Sequence, residues 1–213
     1  VAFADNMRDD ALRRDFTMNA LYCDMRGQVA DPLNGLPDLT ARRVVFIEDP
    51  ATRIKEDYLR NLRFFRFYAW YGDTDAGIDA DGLAACAMYA GGIDGLSSER
   101  VTAEMLKLLA APDPAPAIAS MGRSGVLMHI LVGAAPDVIA VLVHLENELG
   151  IAPDPIRRLA ALGGDPERLR LSNAQQRAVD VRMLDLSLSE LAYRHGADVA
   201  TDRYLIEQAS MCQ

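Results

Sequence analysis

Four of the five Asp-Pro dipeptides, those at positions 49–50, 113–114, 154–155 and 165–166, constrain this chain more than any other feature. Asp before Pro reads as a helix start. The carboxylate accepts from the free N–H groups of the first turn, and Pro fits the first helical position, where its missing N–H has no partner to lose. Ser172…Gln175 and Ser187…Glu190 have the spacing of capping boxes. Ser97 can cap a helix that carries Val101, Met105 and Leu108 on one face. The apolar spacing predicts helices near 50–71, 79–90, 98–111, 114–121, 136–149, 155–162, 173–186 and 197–209. Before Asp49 the pattern changes. Met18, Ala20 and Tyr22 alternate with Asn19, Leu21 and Cys23, and Arg26-Gly27 stands where a turn is needed, so 18–31 is expected to form a hairpin. Residues 31–35 read as a loop and 44–47 as a third strand. The expected fold class is mainly α, with a small mixed β-sheet over about residues 1–48 and only helices after it. Three strands bury little alone, so this sheet needs further strands or must lean on the helices.

No apolar run reaches the roughly 18 residues that a membrane-spanning helix requires, and the N-terminus lacks the pattern of a signal peptide. Cys23, Cys86 and Cys212 form no CxxC and no Cys/His cluster, which argues against a disulfide framework or a zinc site. A reducing cytoplasm is the expected compartment. His129, His144 and His195 are isolated and expected in or near the helical packing. The net charge of −9 argues against a general nucleic-acid binder. Its distribution matters, however. Residues 1–71 hold 11 Lys/Arg and 11 Asp/Glu, whereas 72–213 hold 11 and 20, so a polyanion should meet the N-terminal third.

That third contains Arg13-Arg14-Asp15-Phe16-Thr17-Met18-Asn19-Ala20-Leu21 and, about forty residues on, Glu56-Asp57-Tyr58-Leu59-Arg60. Arg forks match phosphate oxygens in pairs, and a neighbouring carboxylate can accept from a ribose hydroxyl. The bland alternative is a surface ion pair. On one continuous helix, Asp57 and Arg60 would share a face and offer an acceptor beside a fork of donors, suited to the edge of cytosine or adenine. Glu56 and Arg60 are also spaced for an ordinary i, i+4 pair, and both readings can hold together. Arg63 and Arg66 extend the basic stripe toward RNA phosphates. Phe64, Phe65, Phe67, Tyr68 and Tyr71 are expected to pack against helices rather than stack on bases. Asp73/Asp75 and Asp79/Asp81 have a metal-clamping D-x-D spacing, but they sit in a polar connector and read as loop and helix-cap carboxylates.

The two strings, in this order, resemble the class II tRNA nucleotidyltransferase and poly(A) polymerase family, over about residues 5–111. The resemblance implies three parts: the C-terminal portion of a nucleotidyltransferase head (palm) domain over 1–48, a helical neck with a template helix over 49–122, and a helical body over 123–213. It assigns nucleotide binding to Arg13, Arg14, Asp15, Asp57 and Arg60, with Asn19, Glu56, Arg63 and Arg66 in support. Asp31…Gly35…Asp38 resembles the family's hinge, with Gly35 in a tight turn and Asp38 as a cap or ion-pair partner. The segment 96–104 resembles a bracing helix, in which Glu99, Arg100 and Glu104 are structural. The implied activity is template-independent addition to an RNA 3′ end, first of all CCA addition to tRNA from CTP and ATP. Poly(A) synthesis is the runner-up, and a non-catalytic RNA- or nucleotide-binding module the alternative from another class. A helical interaction protein, with both strings as plain ion pairs, ranks lowest. The family holds Mg2+ on carboxylates upstream of the first string, so no catalytic or metal residue is expected here, and residues 1–213 alone are expected to be inactive. Oligomeric state is unspecified.

Overall fold

Phe16 and Phe46 are fully or almost fully buried, and the reason sets the architecture. In the computed structural model, which describes residues 6–211, they form an isolated antiparallel bridge and stack on a helix. Their ring centroids lie 4.9 Å apart; Phe16 lies 4.9 Å from Phe67, and Phe46 lies 5.2 Å from Phe64. The N-terminal segment therefore leans on helices: Phe16, Met18, Val44 and Phe46 join a core that runs to Ala209, while Ala11, Ala20 and Ile47 form a small second cluster.

The described order is α1 (Met7–Leu12), β1 (Tyr22–Cys23), β2 (Val29–Ala30), α2 (Leu36–Thr40), α3 (Pro50–Glu56), α4 (Leu59–Tyr71), α5 (Ala80–Met88), α6 (Ser98–Leu109), α7 (Ala115–Arg123), α8 (Val138–Glu148), α9 (Pro155–Leu162), α10 (Asn173–Arg182), α11 (Leu188–His195) and α12 (Ala197–Met211). Short 3-10 turns cover Thr17–Asn19, Ala90–Gly95 and Val126–His129. The chain is mainly α with a small sheet, as expected. The sheet is smaller than the alternation predicts. Tyr22 pairs with Ala30 and Cys23 with Val29, antiparallel, while Thr17–Asn19 coils and Val44–Ile47 supplies only the Phe46 bridge. Burial of both phenylalanines against α4 replaces the missing neighbouring strands.

The helix starts follow the sequence closely. Asp49 and Asp154 cap α3 and α9, with Pro at the first position. Ser97 caps α6, and both capping boxes form. Asp113 accepts from Ala115 N one residue later than expected, with Pro114 as the cap residue. Asp165-Pro166 heads only a turn, in which Asp165 accepts from Glu167 N. The short helices α1 and α2 fall where no periodicity is visible, and α11 follows a capping box that carried no predicted helix. His144 and His195 are exposed, on helices but outside the packing, and His129 lies beside Asp94 at 3.0 Å. Cys212 lies outside the described residues.

The expected helix over 50–71 is two helices. Asp57 is extended (φ −154°, ψ 106°), and its side chain and carbonyl accept from Leu59 N and Arg60 N at 3.0 and 2.9 Å. The break is kept by Tyr58, whose ring lies flush on Gly92. A Cβ there would sit 1.9 Å from the ring. Gly35 also serves by close approach. Its φ of −85° is ordinary, so no turn demands glycine, but a Cβ would lie 2.1 Å from Thr17 O.

The far half is tied by buried charge. Glu146 of α8 takes Arg157 Nε at 2.8 Å and Arg158 Nη2 at 2.6 Å, both from α9. Arg157 continues to Asp202 of α12 at 2.7 Å, which also receives Arg182 of α10 at 2.6 Å. Arg158 donates to the carbonyls of Leu109 and Ala111, closing the C-terminus of α6. Removing one partner from such a group strands the others without water. Glu146→Gln is expected to cost about 3 kcal/mol or more in urea unfolding, and Gly35→Ala about 1–3 kcal/mol. An unchanged unfolding midpoint for either variant counts against the corresponding contact.

Candidate nucleotide site

The bridge that buries Phe16 also fixes its neighbour. Ile47 N donates to Asp15 O and Thr17 N to Val45 O, each at 3.0 Å, so the Asp15 backbone is pinned and its side chain faces α4. There Arg63 Nε donates to Asp15 Oδ2, and Asn19 Nδ2 donates to Oδ1 at 2.6 Å. Asn19 also accepts from Phe16 N, so it closes the turn. Burial alone would raise the Asp15 pKa, but the Arg63 and Asn19 hydrogen bonds and the Arg63 charge outweigh it and hold the carboxyl below the ordinary range.

The second string reaches back to the first through the backbone. Arg60 Nη2 donates to the Arg13 carbonyl at 3.0 Å, and Arg53 Nη2 donates to the Arg14 carbonyl. Glu56 carries both guanidiniums, Arg53 at 2.8 Å and Arg60 at 2.5 Å, so the i, i+4 pair is present and serves to orient Arg60. Arg14 lies over the Tyr22 ring at 4.9 Å and is paired with Asp10. The result is an open cleft of about 330 Å³ lined by Arg13, Arg14, Asp15, Asn19, Asp57, Leu59, Arg60, Arg63 and Arg100. Larger apolar cavities elsewhere hold less chemistry. One is lined by Ala119, Leu127, Met128 and Pro136 and offers only Arg123 and Asp137 as charged groups. The cleft near Asp15 is the candidate site by its chemistry, not by its size.

Both strings thus meet in one place, and two of the expected details change. Asp57 and Arg60 do not share a helix face, because the chain breaks between α3 and α4; they converge because the break turns Asp57 inward. Arg66 lies outside the cleft, with its Nε on the buried Glu104 at 2.5 Å. Two residues join the site unannounced. Arg53 is buried and holds the Arg14 carbonyl. Arg100, expected to be structural, donates to Asp57 Oδ2 at 2.7 Å. Capping spacing at Ser97 placed α6, but nothing local signalled that its first turn would face Asp57. The first carboxylate of each D-x-D pair is engaged locally: Asp73 accepts from Asp75 N in a turn, and Asp79 caps α5 through Gly82 N. Among the described residues no group of three His, Cys, Asp or Glu side chains comes together that could hold a metal ion.

Asp15→Asn tests the pinning. It is expected to cost about 2 kcal/mol near neutral pH, the scale of hydrogen bonds to a charged group. Because the folded pKa lies below an unfolded value of about 3.9, this stabilisation is complete above about pH 5 and fades as pH falls through the folded pKa. Urea unfolding of both proteins across pH should show their difference shrink on the acid side; a difference that grows there sinks the assignment.

Residues 1–45 match a family model described as the Poly A polymerase head domain, and 77–139 match one described as the probable RNA and SrmB-binding site of polymerase A. The mitochondrial CCA tRNA nucleotidyltransferase 1 of Mus musculus is 35% identical over 162 residues, which cover 76% of this chain and 37% of that protein. The CCA-adding enzyme of Streptococcus gordonii is 40% identical over 112 residues, 53% of this chain and 27% of that enzyme. The chain thus spans well under half the length of these relatives. The CCA-adding enzyme of Bacillus stearothermophilus, solved in complex with CTP, superposes with a TM-score of 0.71 at 22% identity, covering 100% of this chain and 57% of that one, and so shares the fold. With both strings in one cleft, a head-domain model matching the first of them and a relative 35% identical over 76% of the chain, the chain belongs to the class II tRNA nucleotidyltransferase and poly(A) polymerase family.

Proposed function

We propose that this chain is the nucleotide-selecting part of a template-independent RNA 3′-end nucleotidyltransferase that adds CCA to tRNA from CTP and ATP. The observation that carries the reading is the charge of the cleft: five guanidiniums against two carboxylates, in a chain of net charge −9. Such a surplus suits a triphosphate. Arg13 and Arg14 are assigned to the phosphates and Asp15 to the ribose. Both Asp15 oxygens are engaged, yet each keeps a further lone pair for a hydroxyl. Asp57 accepts from the amino group that cytosine and adenine share at that edge, and Arg60 donates to the ring acceptor beside it. Arg100 neutralises Asp57 and fixes its rotamer. Glu56, Arg63 and Asn19 position these groups.

The names of the relatives favour CCA addition, and the head-domain description keeps poly(A) synthesis as the second reading. A divalent ion, taken to be Mg2+, belongs to the family's chemistry. The described residues bring together no group of three carboxylate, His or Cys side chains that would hold it. The proposal includes a head segment over 1–48, a neck over 49–122 and a body over 123–213, and a cytoplasmic setting. No helix among the described residues is long and apolar enough to cross a membrane.

Calorimetric titration separates the readings. CTP and ATP are expected to bind and GTP to bind at least tenfold more weakly. Asp57→Ala should weaken CTP and ATP about tenfold, or ~1.4 kcal/mol, and Arg66→Ala should leave both unchanged. Equal binding of all three nucleotides, or indifference to Asp57→Ala, removes the base-reading assignment. With the intact protein, a tRNA lacking its 3′ end should gain two C and one A; long A tails would favour the second reading.

A further inference from the structure

α4 carries Arg60, Arg63, Arg66 and Trp70 at spacings of three, three and four, which places them along one side of the helix. α6 answers with Arg100, Glu104 and Lys107, also on one side. The near ends of these rows, Arg60, Arg63 and Arg100, line the nucleotide cleft. The far ends, Arg66, Trp70 and Lys107, line a second groove of about 270 Å³ with Tyr71 and Ala110. Seven residues, or about 10 Å of helix, separate Arg63 from Trp70.

The second groove is built for something flat and anionic. Trp70 is 40% exposed and Tyr71 is 46% exposed. The indole is nevertheless fixed, because its Nε1 donates to the Lys107 carbonyl at 2.7 Å. With that N–H satisfied inside the protein, the surface left to solvent is ring carbon. Cations surround it. Arg66 and Lys107 share one buried carboxylate, Glu104, so positive charge is in excess. Arg42 lies on the same edge and donates to the carbonyls of Tyr71 and Gly72. The nearby Asp73 has its Oδ1 engaged by the N–H groups of Asp75 and Ala76. A held aromatic ring takes a base by stacking, and neighbouring cations take the phosphates. An apolar protein segment would use the rings but leave the surplus cations unmatched, whereas a nucleotide supplies a flat ring and a phosphate together.

We propose that the groove between Trp70 and Lys107 binds single-stranded RNA, taking unpaired nucleotides next to the end that reaches the cleft. A base stacks on Trp70, and the backbone passes Lys107 and Arg42. The RNA direction rests on the function proposed above; the binding itself does not require nucleotide in the cleft.

Trp70 is the single tryptophan of the chain, so its fluorescence reports this groove alone. Titration with a short oligocytidylate is expected to quench it, and fluorescence anisotropy of the same labelled RNA gives the affinity. Trp70→Ala should weaken RNA binding about tenfold, and Trp70→Phe distinctly less, since a smaller ring still stacks. Lys107→Ala, at an exposed position that folding does not need, should reduce the slope of log affinity against log salt by about one. CTP affinity, followed by calorimetry, should be the same in all three variants. Absence of quenching, or RNA affinity indifferent to both Trp70→Ala and Lys107→Ala, overturns the proposal. So does salt-independent self-association that Trp70→Ala abolishes, which would give the groove to a second copy of the chain. Failure of the wild type to bind CTP while the RNA response persists would strike the nucleotide reading and leave this one standing.

Discussion

Phe16 and Phe46 enter the same apolar layer as Phe64 and Phe67, and everything in the cleft inherits its position from that contact. Each ring removed from water contributes roughly 1.5–3 kcal/mol, enough to seat a segment whose described residues form a two-stranded sheet. Because Phe16 is fully buried and bonded to the segment around Val45, the residues on either side of it have little freedom. Asp15 must face Arg63, and the carbonyls of Arg13 and Arg14 must face Arg60 and Arg53. An apolar contact thus sets the polar geometry.

The charges above this layer follow two regimes. In the cleft, guanidiniums outnumber carboxylates and stay partly open to solvent, so they remain available to an anionic ligand. In the far half, Arg157, Arg158, Glu146 and Asp202 are almost wholly buried and answer one another completely. Buried sets of this kind add little net stability but penalise any other arrangement of the helices that share them. Arg158 extends this constraint to the last carbonyls of α6. The helix that presents Arg100 to Asp57 is therefore fixed at its far end by Arg158 and at its near end by the Asp57 contact.

Helix starts were legible where a side chain speaks to its own first turn. Asp49, Ser97, Asp154, Ser172 and Ser187 each cap the helix they announce. Asp165 has the same local chemistry and begins only a turn, with its N–H given to Val132 O across the fold. The break at Asp57 was hidden for a similar reason. Nothing in Glu56-Asp57-Tyr58 forbids a helix; Asp57 accepts from Leu59 N at the start of the second helix, and Tyr58 meeting Gly92 holds the kink across the fold. Alternation over 18–31 suggested longer strands than form, because alternation records two faces and not whether a neighbouring strand is present.

By itself the sequence determined the helical character of the chain, most helix boundaries, and the charged residues that come to line the cleft, since these depend on spacing along a few turns. Tertiary structure decided that Asp57 would answer Arg100, that Arg66 would turn to Glu104 beside Trp70, and that Arg53 and Arg60 would hold the first string by its carbonyls. Those outcomes join residues dozens of positions apart. They follow from which helix faces were buried together, and no local spacing encodes that.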